Sequence, residues 1–301
     1  MIYAAGKTAM RDVVSLPKNL LRLMRPKQWV KNGFLFAPLL FAGSLFDPAL
    51  FLLCCAGCIL FCLAASSVYI LNDLVDREKD RQHPKKCHRP IASGAVSVGQ
   101  AVVLLIVLLG VSFSVSLYLN VWFALVLAAY FVFNLAYSFV LKHVPIVDVM
   151  SVAAMYVFRI VAGAVIIGSY LLSPWIVLCT FFVSLLIAVQ KRKGELASVE
   201  EGKNEGRLVL RHYRPEILRD MAVTLGAVTI TAYCLYTFQS DTSGLMILTV
   251  PFVMFGLLRY QMLTGTTNVG ETPEEIVLKD KPMVIDLGLW VLVCIGILYL
   301  V

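Results

Sequence analysis

The sequence predicts an all-α integral membrane protein with nine transmembrane helices. Of its 301 residues, 59% are hydrophobic and only 15% are charged, which is far from the composition of soluble globular proteins. Apolar runs of about 20 residues match the hydrocarbon thickness of a bilayer, and several of them follow one another with short polar breaks. A water-soluble fold is therefore not expected.

Helices are the expected form of these runs, because lipid offers no hydrogen-bond partners to an open backbone. The alternation of polar and apolar residues that marks a membrane β-barrel is missing. The spans are expected at residues 33–47, 49–71, 97–119, 121–141, 146–168, 174–190, 221–238, 244–262 and 283–301.

The net charge of +7 could suggest nucleic-acid binding, but its distribution excludes that class. All 26 Lys and Arg residues except Arg159 lie in the N-terminal arm, in alternate loops, or at the span ends that face them. This positive-inside pattern places the N-terminus in the cytoplasm and the C-terminal Val301 outside. The protein is thus expected to be a multi-pass protein of a bacterial inner membrane.

Residues 1–32 form a basic arm in which Leu16, Leu20 and Leu23 recur at helical spacing. This spacing among basic residues predicts an interfacial amphipathic helix on the inner leaflet. A cleavable signal peptide is not expected, because a 32-residue basic arm, and not a short charged region, precedes the first apolar run. The remaining chain, 33–301, is predicted to be one transmembrane catalytic domain. Its two long cytoplasmic connections, 72–96 and 191–220, are the expected motif loops, since such loops often carry function.

The first motif loop opens with the string NDLVDREKD, which places Asn72, Asp73, Asp76 and Asp80 together. On a helix the three carboxylates share one face and repel one another unless a cation lies between them. Mg²⁺ prefers oxygen ligands and is commonly shared with substrate phosphates, so a Mg²⁺-diphosphate site is predicted. A solvated helix end is the alternative. Nearby cations that would hold phosphate oxygens are Lys85 and Arg89.

The second motif loop begins QKRKGEL, which places Lys191, Arg192 and Glu195 at the cytoplasmic end of the sixth span. Lys191 and Arg192 abut the bilayer and are candidate phosphate ligands, although a purely topological role is the alternative.

Arg159 lies about thirteen residues into the fifth span, where a charge is costly and normally faces a polar cavity. A structural ion pair is the alternative. The same cavity is expected to receive the side chains of Tyr137, Lys142 and Asp148. Four cysteines of the second span, Cys54, Cys55, Cys58 and Cys62, are predicted to be ordinary small buried residues.

These strings resemble the UbiA intramembrane prenyltransferase superfamily, and within it the decaprenyl-phosphate 5-phosphoribosyltransferase branch. NDLVDREKD matches the acidic motif NDxxDxxxD of that superfamily, whereas KRKGEL replaces its usual second motif DxxxD. Further similarity runs through LMRPKQWVKN, NLAYSFVLKH, and LRY followed by EEIVLKD. The resemblance implies a helical bundle around a central cavity that opens to the cytoplasmic side.

The resemblance also implies an activity: Mg²⁺-dependent transfer of 5-phosphoribose from phosphoribosyl pyrophosphate to a polyprenyl phosphate, with release of pyrophosphate. The implied product feeds arabinose donors for the cell envelope. Asp73, Asp76 and Asp80 would be catalytic and, with Asn72, would hold the metal. Substrate-binding residues would be Lys31, Asn72, Lys85, Arg89, Tyr137, Lys142, Asp148, Arg159, Lys191, Arg192 and Glu195.

Two other functions stay open. One is a prenyltransferase that moves an isoprenoid from its pyrophosphate to an aromatic or other polar acceptor. The other is a transporter or lipid scramblase, which is expected to keep polar residues through the depth of several helices. Expected partners are the two substrates and membrane lipids, with no nucleic acid. The oligomeric state is open, with a homo-oligomer as one alternative.

Overall fold

The computed structural model describes residues 16–83, 86–169, 173–200, 207–239, 244–266, 276–277 and 279–300. All regular secondary structure within these ranges is helical, as predicted. The α-helices are α1 (16–24), α2 (Ala37–Phe41), α3 (Pro48–Val75), α4 (Arg77–Gln82), α5 (Val98–Leu119), α6 (Val121–Phe139), α7 (Val147–Ile166), α8 (Pro174–Glu200), α9 (Pro215–Gln239), α10 (Val250–Thr266) and α11 (Lys281–Leu300).

Eight helical segments among the described residues are long and apolar enough to cross a membrane. They correspond to the second through ninth predicted spans, so the chain is an integral membrane protein. They are α3, α5 to α9, the segment Leu245–Gly265 that contains most of α10, and α11.

The prediction of a continuous first span at 33–47 was wrong. The chain instead forms a 3₁₀ helix, Pro26–Phe36, followed by the five-residue helix α2. We call Pro26–Phe36 the 3₁₀ segment. Its Leu35, together with Leu39 of α2, is fully buried among residues of α3, α6 and α7. Hydropathy detects how apolar such a segment is but not which helix type it adopts.

Tertiary contacts support this long 3₁₀ segment, which is unusual because 3₁₀ hydrogen bonds have poorer geometry. The thiols of Cys54 and Cys58 on α3 donate to the carbonyl oxygens of Leu35 and Asn32 over 3.5 and 3.7 Å. The Asn32 amide in turn donates to the Cys62 sulfur over 3.0 Å. Three of the cysteines predicted as ordinary apolar residues therefore form a hydrogen-bonding stripe at helical spacing.

Gly163 of α7 allows the 3₁₀ segment to approach. A Cβ atom at this position would lie 2.1 Å from the carbonyl oxygen of Leu35. That distance is far below van der Waals contact, so α7 and the 3₁₀ segment can pack backbone against backbone only because residue 163 is glycine.

The second predicted motif loop, 191–220, is shorter than expected. α8 continues to Glu200, ten residues beyond the predicted span, and α9 begins at Pro215. The charged string QKRKGEL therefore lies on a helix that extends past the apolar run. The length of an apolar run indicates the part of a helix that lies in the hydrocarbon core of the bilayer. It does not indicate where the helix ends, because the backbone hydrogen bonds can continue into a charged segment.

The arm helix α1 packs onto the bundle. Leu23 is fully buried in a cluster with Ile70 of α3 and Ala101 of α5. Lys18 and Arg22 on the opposite face of α1 are exposed. This amphipathic helix was predicted, but its apolar face contacts α3 and α5 directly.

Replacing Gly163 by alanine is expected to destabilise the fold. The new methyl group would collide with the Leu35 carbonyl, and overpacking of this kind costs about 1 to 3 kcal/mol. The thermal unfolding temperature of the purified variant should therefore fall.

Gly110→Ala is the matched control, because a Cβ at this exposed position of α5 meets nothing within 4 Å. Alanine there should leave stability unchanged or slightly raised. Equal unfolding temperatures for the two variants would show that the backbone approach at Gly163 does not constrain the fold.

Candidate functional site

The acidic motif lies at the junction of α3 and α4. Asp76 caps the end of α3, and its carbonyl oxygen accepts from the Asp80 N–H over 2.8 Å. The helical path is thereby nearly continuous, which brings Asp73 and Asp80 together at the predicted spacing. Both carboxylates are buried, with 2% and 3% of their residue surfaces exposed.

A guanidinium group lies between these two carboxylates. Nη1 of Arg89 donates to Asp73 Oδ1 over 3.0 Å and to Asp80 Oδ2 over 2.7 Å. A second guanidinium, from Arg25, donates to the same Asp73 Oδ1. The predicted proximity of Arg89 is confirmed, and the cation that relieves the carboxylate repulsion belongs to the protein. We call Asp73, Asp80, Arg25 and Arg89 the inner-face cluster.

The carboxylates retain capacity for a metal. Asp73 Oδ2, Asp80 Oδ1 and the half-buried Asp76 carboxylate accept no hydrogen bond from the described part of the chain. Hard oxygen donors of this kind suit Mg²⁺. Within the same ranges, however, no three His, Cys, Asp or Glu side chains are arranged to hold an ion by themselves, so phosphate oxygens or waters would have to complete the coordination. Asn72 is half-buried beside them, and Lys85 lies outside the described residues.

A second charged cluster, which we call the Arg192 cluster, joins α6, α7 and α8. Arg192 is 2% exposed; its Nε donates to Asp148 Oδ2 and its Nη1 to Glu195 Oε2, each over 2.6 Å. Its Nη2 donates to the Tyr137 hydroxyl over 3.4 Å. Three predicted site residues thus contact a fourth, Arg192, whose guanidinium is engaged on all three nitrogens.

Two residues outside the predicted set complete this second cluster. The Tyr213 hydroxyl donates to Asp148 Oδ1 over 2.7 Å, and it accepts from the Ile146 N–H over 2.6 Å. Burial, followed by the hydrogen bond to Asp148, raises the pKa of Tyr213 to about 12, so this hydroxyl keeps its proton at neutral pH. Arg207 contacts Glu195 at 3.6 Å and donates to Tyr137 over 3.2 Å.

Arg159 lies in an aromatic enclosure inside the bundle. Its guanidinium carbon is 5.2 to 5.4 Å from the ring centroids of Phe61, Tyr130 and Tyr156. Its Nε donates to Asn32 Oδ1 over 2.8 Å. No carboxylate of the described residues forms an ion pair with Arg159. The contacts of the described residues therefore do not support the alternative of a structural ion pair.

The other cations that were predicted to bind phosphate lie on three different helical segments. Lys31 lies on the 3₁₀ segment. Lys142 is half-buried in the turn Leu141–His143, and Lys191 is half-buried on α8.

Arg25 is the residue of the inner-face cluster that sequence reasoning missed. It lies 48 positions from Asp73, so no local spacing rule connects the two residues. The available signal was its position within the string LMRPKQWVKN, which carried part of the resemblance.

Removal of the Arg192 cation is expected to destabilise the protein strongly. Arg192→Met leaves the fully buried Asp148 carboxylate without its cation, and breaking a buried pair in this way costs about 3 to 5 kcal/mol. The double variant Arg192→Met/Asp148→Leu should recover part of that loss, because no uncompensated charge remains. Thermal unfolding of both variants measures the difference.

Arg219→Met is the control, since Arg219 and its partner Asp220 are both 69% exposed and such pairs contribute less than about 1 kcal/mol. A loss at Arg192→Met no greater than at Arg219→Met would contradict a stabilising role for the second cluster.

Comparison with known proteins places these features in a family. Residues 33–273 match the UbiA prenyltransferase family. A decaprenyl-phosphate phosphoribosyltransferase of Corynebacterium glutamicum is 33% identical, over 94% of this chain and 89% of that protein. The enzyme of the same name from Mycolicibacterium smegmatis is 35% identical, over 91% of this chain and 92% of that protein.

Solved structures show the same fold. A UbiA homologue from Archaeoglobus fulgidus bound to DMAPP and Mg²⁺ has a TM-score of 0.69 at 21% identity, covering 93% of this chain and 99% of that chain. A digeranylgeranylglyceryl phosphate synthase has a TM-score of 0.65 at 18% identity, covering 95% and 100%. The chain belongs to the UbiA prenyltransferase family.

Proposed function

We propose that this protein transfers 5-phosphoribose from phosphoribosyl pyrophosphate to a polyprenyl phosphate of decaprenyl type, with Mg²⁺ as cofactor and pyrophosphate as the leaving product. The proposal rests on relatives named decaprenyl-phosphate phosphoribosyltransferase that are similar over nearly the whole chain. Its structural support is the inner-face cluster, where carboxylates and arginines adjoin. The product would feed arabinose donors for the cell envelope.

The inner-face cluster combines the two chemistries that a metal-bridged diphosphate needs. Asp73, Asp76 and Asp80 offer carboxylate oxygens for the metal, assisted by Asn72. Arg89, whose side chain is 29% exposed, offers guanidinium N–H groups of a geometry that suits phosphate oxygens. A solved relative carries Mg²⁺ together with a prenyl diphosphate, which is consistent with this assignment.

When bound, Mg²⁺ neutralises charge on the diphosphate and makes it a better leaving group. A phosphate oxygen of the acceptor then forms the bond to C1 of the ribose while the bond from C1 to the diphosphate oxygen breaks and its electron pair leaves with pyrophosphate. The acceptor needs no general base, because a phosphate monoester is largely ionised at neutral pH. The protein's task is therefore to bind and orient two anionic substrates.

The 5-phosphate of the donor and the phosphate of the acceptor require further cations. Lys31, Lys142, Lys191 and Arg159 are the proposed sources. Arg159 is suited to an anionic partner, because its described contacts are aromatic rings and neutral oxygens. Tyr137, Asp148 and Glu195 all contact Arg192, so we propose that these four residues shape the substrate cavity as a unit.

The lipid tail would lie in an apolar groove beside the cavity. An open groove of about 430 Å³ runs between α1 and α5 and is lined mainly by apolar residues, among them Leu20, Val103 and Val107. It adjoins α1, the helix that ends beside Arg25. A lipid acceptor could thus enter sideways from the bilayer while the soluble donor enters from the cytoplasm.

The proposed topology has nine crossings, with the N-terminus and the site in the cytoplasm and the C-terminus outside, in a bacterial inner membrane. The 3₁₀ segment and α2 together are about 30 Å long, at roughly 2.0 Å rise per 3₁₀ residue and 1.5 Å per α residue. That length matches the hydrocarbon core. The inner-face cluster, the Arg192 cluster and the ion pair between Arg259 and Asp280 all lie at helix ends assigned to the cytoplasmic side.

The activity is tested with purified protein, Mg²⁺, a polyprenyl phosphate, and either labelled phosphoribosyl pyrophosphate or labelled prenyl pyrophosphate. We expect label from the ribosyl donor in the lipid product, and no transfer after chelation of the metal. Asp73→Asn and Asp76→Asn should abolish the transfer, while Asp76→Asn should keep wild-type stability because its carboxylate has no described partner.

Transfer of the prenyl label to a polar acceptor would instead identify a prenyltransferase. Full activity of either folded Asp variant would remove the proposed metal role.

Lys191→Ala is expected to raise the KM of one phosphorylated substrate roughly tenfold, because a hydrogen bond to a charged group is worth about 1.5 to 3 kcal/mol. Lys193→Ala, two residues along the same helix, is the control and should leave both KM values unchanged. If Lys191→Ala also leaves KM and kcat unchanged, Lys191 is a topology residue only.

A further inference from the structure

Arg25 occupies a strained position between α1 and the 3₁₀ segment. Its φ and ψ angles are 55° and 60°, in the left-handed region that residues other than glycine rarely adopt. It directly precedes Pro26, and residues before proline normally favour extended conformations. Surrounding contacts must therefore hold this junction in place.

Those contacts lie along one face of α3. The Ser66 hydroxyl shares its proton between the carbonyl oxygens of Cys62 and Met24, over 2.7 and 3.0 Å, and accepts from the Trp29 indole N–H over 3.1 Å. One turn further on, the Arg25 guanidinium carbon lies 5.0 Å from the centroid of the Tyr69 ring. Another turn brings the same guanidinium to Asp73. The junction is thus bound to α3 at successive turns that lead to the acidic motif.

The charge balance of the inner-face cluster depends on Arg25. Two buried carboxylates, Asp73 and Asp80, face two guanidinium groups, and a single nitrogen of Arg89 serves both carboxylates. Without Arg25, Arg89 would be the one described residue left in an ion pair with these two buried anions. Buried charges that lose a partner are strongly destabilised, so Asp73 would move or lose its charge.

Arg25 and Arg89 together determine which Asp73 oxygen is available. Both arginines donate to Oδ1, and Oδ2 accepts no hydrogen bond from the described residues. Arg25 therefore shares with Arg89 the arrangement that leaves Oδ2 open, and its hydrogen bond adds a second restraint on rotation of the carboxylate. Residues that orient a metal ligand in this way typically change metal affinity or activity by about 10- to 100-fold when they are removed.

We propose that Arg25 is a positioning residue of the reaction. By binding Asp73 Oδ1 it presents Oδ2 to the metal-diphosphate group of the donor, and it makes the seating of the N-terminal arm a requirement for donor binding. This inference rests on the proposed function, because it assumes that Asp73 holds a metal ion shared with a diphosphate.

The test measures binding of Mn²⁺ in the presence of inorganic pyrophosphate by electron paramagnetic resonance, on full-length protein. Arg25→Gln should bind Mn²⁺ at least about tenfold more weakly than wild type. Arg25→Lys should have an intermediate affinity, since lysine keeps the positive charge but lacks the planar N–H donors of the guanidinium group. Arg22→Gln, at an exposed arginine of the preceding helix α1, is the control and should bind like wild type. Thermal unfolding establishes that each variant is folded.

Kinetics provide a second readout. In Arg25→Gln the Mg²⁺ concentration for half-maximal activity and the KM of phosphoribosyl pyrophosphate should rise, while the KM of the polyprenyl phosphate stays unchanged. If Arg25 were only structural, its replacement would lower the amount of active enzyme without changing one KM relative to the other.

The possible failures are distinguishable. If folded Arg25→Gln binds Mn²⁺ with pyrophosphate as tightly as wild type, or more tightly, the positioning role is refuted and the proposed function stands. If wild type itself binds no Mn²⁺ with pyrophosphate, the metal role of the acidic motif fails, and this inference fails with it.

Discussion

The site depends on the requirement that a charge buried at a membrane surface be matched by another charge. Asp73 and Asp80 are almost fully removed from water, and transfer of a carboxylate out of water is prohibitive unless a cation or several donors compensate. The compensating cations come from two distant parts of the chain: Arg25 from the N-terminal arm and Arg89 from the connection between α4 and α5. The same requirement that stabilises the cluster therefore brings together the groups that a metal-bound diphosphate needs.

The bundle satisfies its polar groups differently at different depths. Within the apolar interior, the thiols of α3 donate to carbonyl oxygens of the 3₁₀ segment, and Arg159 donates to neutral oxygens while aromatic rings enclose it. Towards the helix ends, ion pairs compensate the buried charges, as in the network of Arg192, Asp148 and Tyr213. A polar site at one face and an apolar body suit an enzyme that joins a soluble sugar phosphate to a lipid.

Sequence patterns predicted the spans and the acidic motif because both are local. Hydropathy reports the number of apolar residues in a window, and the spacing of Asp73 and Asp80 follows from helical geometry. The broken first span could not be found in this way, since it depends on a backbone contact between Leu35 and Gly163 on a different helix. Similarly, the partner of Asp73 in the arm and that of Arg192 on α7 are set by packing between helices, which sequence spacing does not reveal.

The most direct test of the central claim is an experimental structure with Mn²⁺ and phosphoribosyl pyrophosphate, in which anomalous scattering locates the metal. The account predicts a metal peak between Asp73 Oδ2 and the diphosphate of the donor, with Arg25 and Arg89 still beside Asp73 Oδ1 or turned to the phosphates. A donor bound at the Arg192 cluster, with no metal near Asp73, would contradict it.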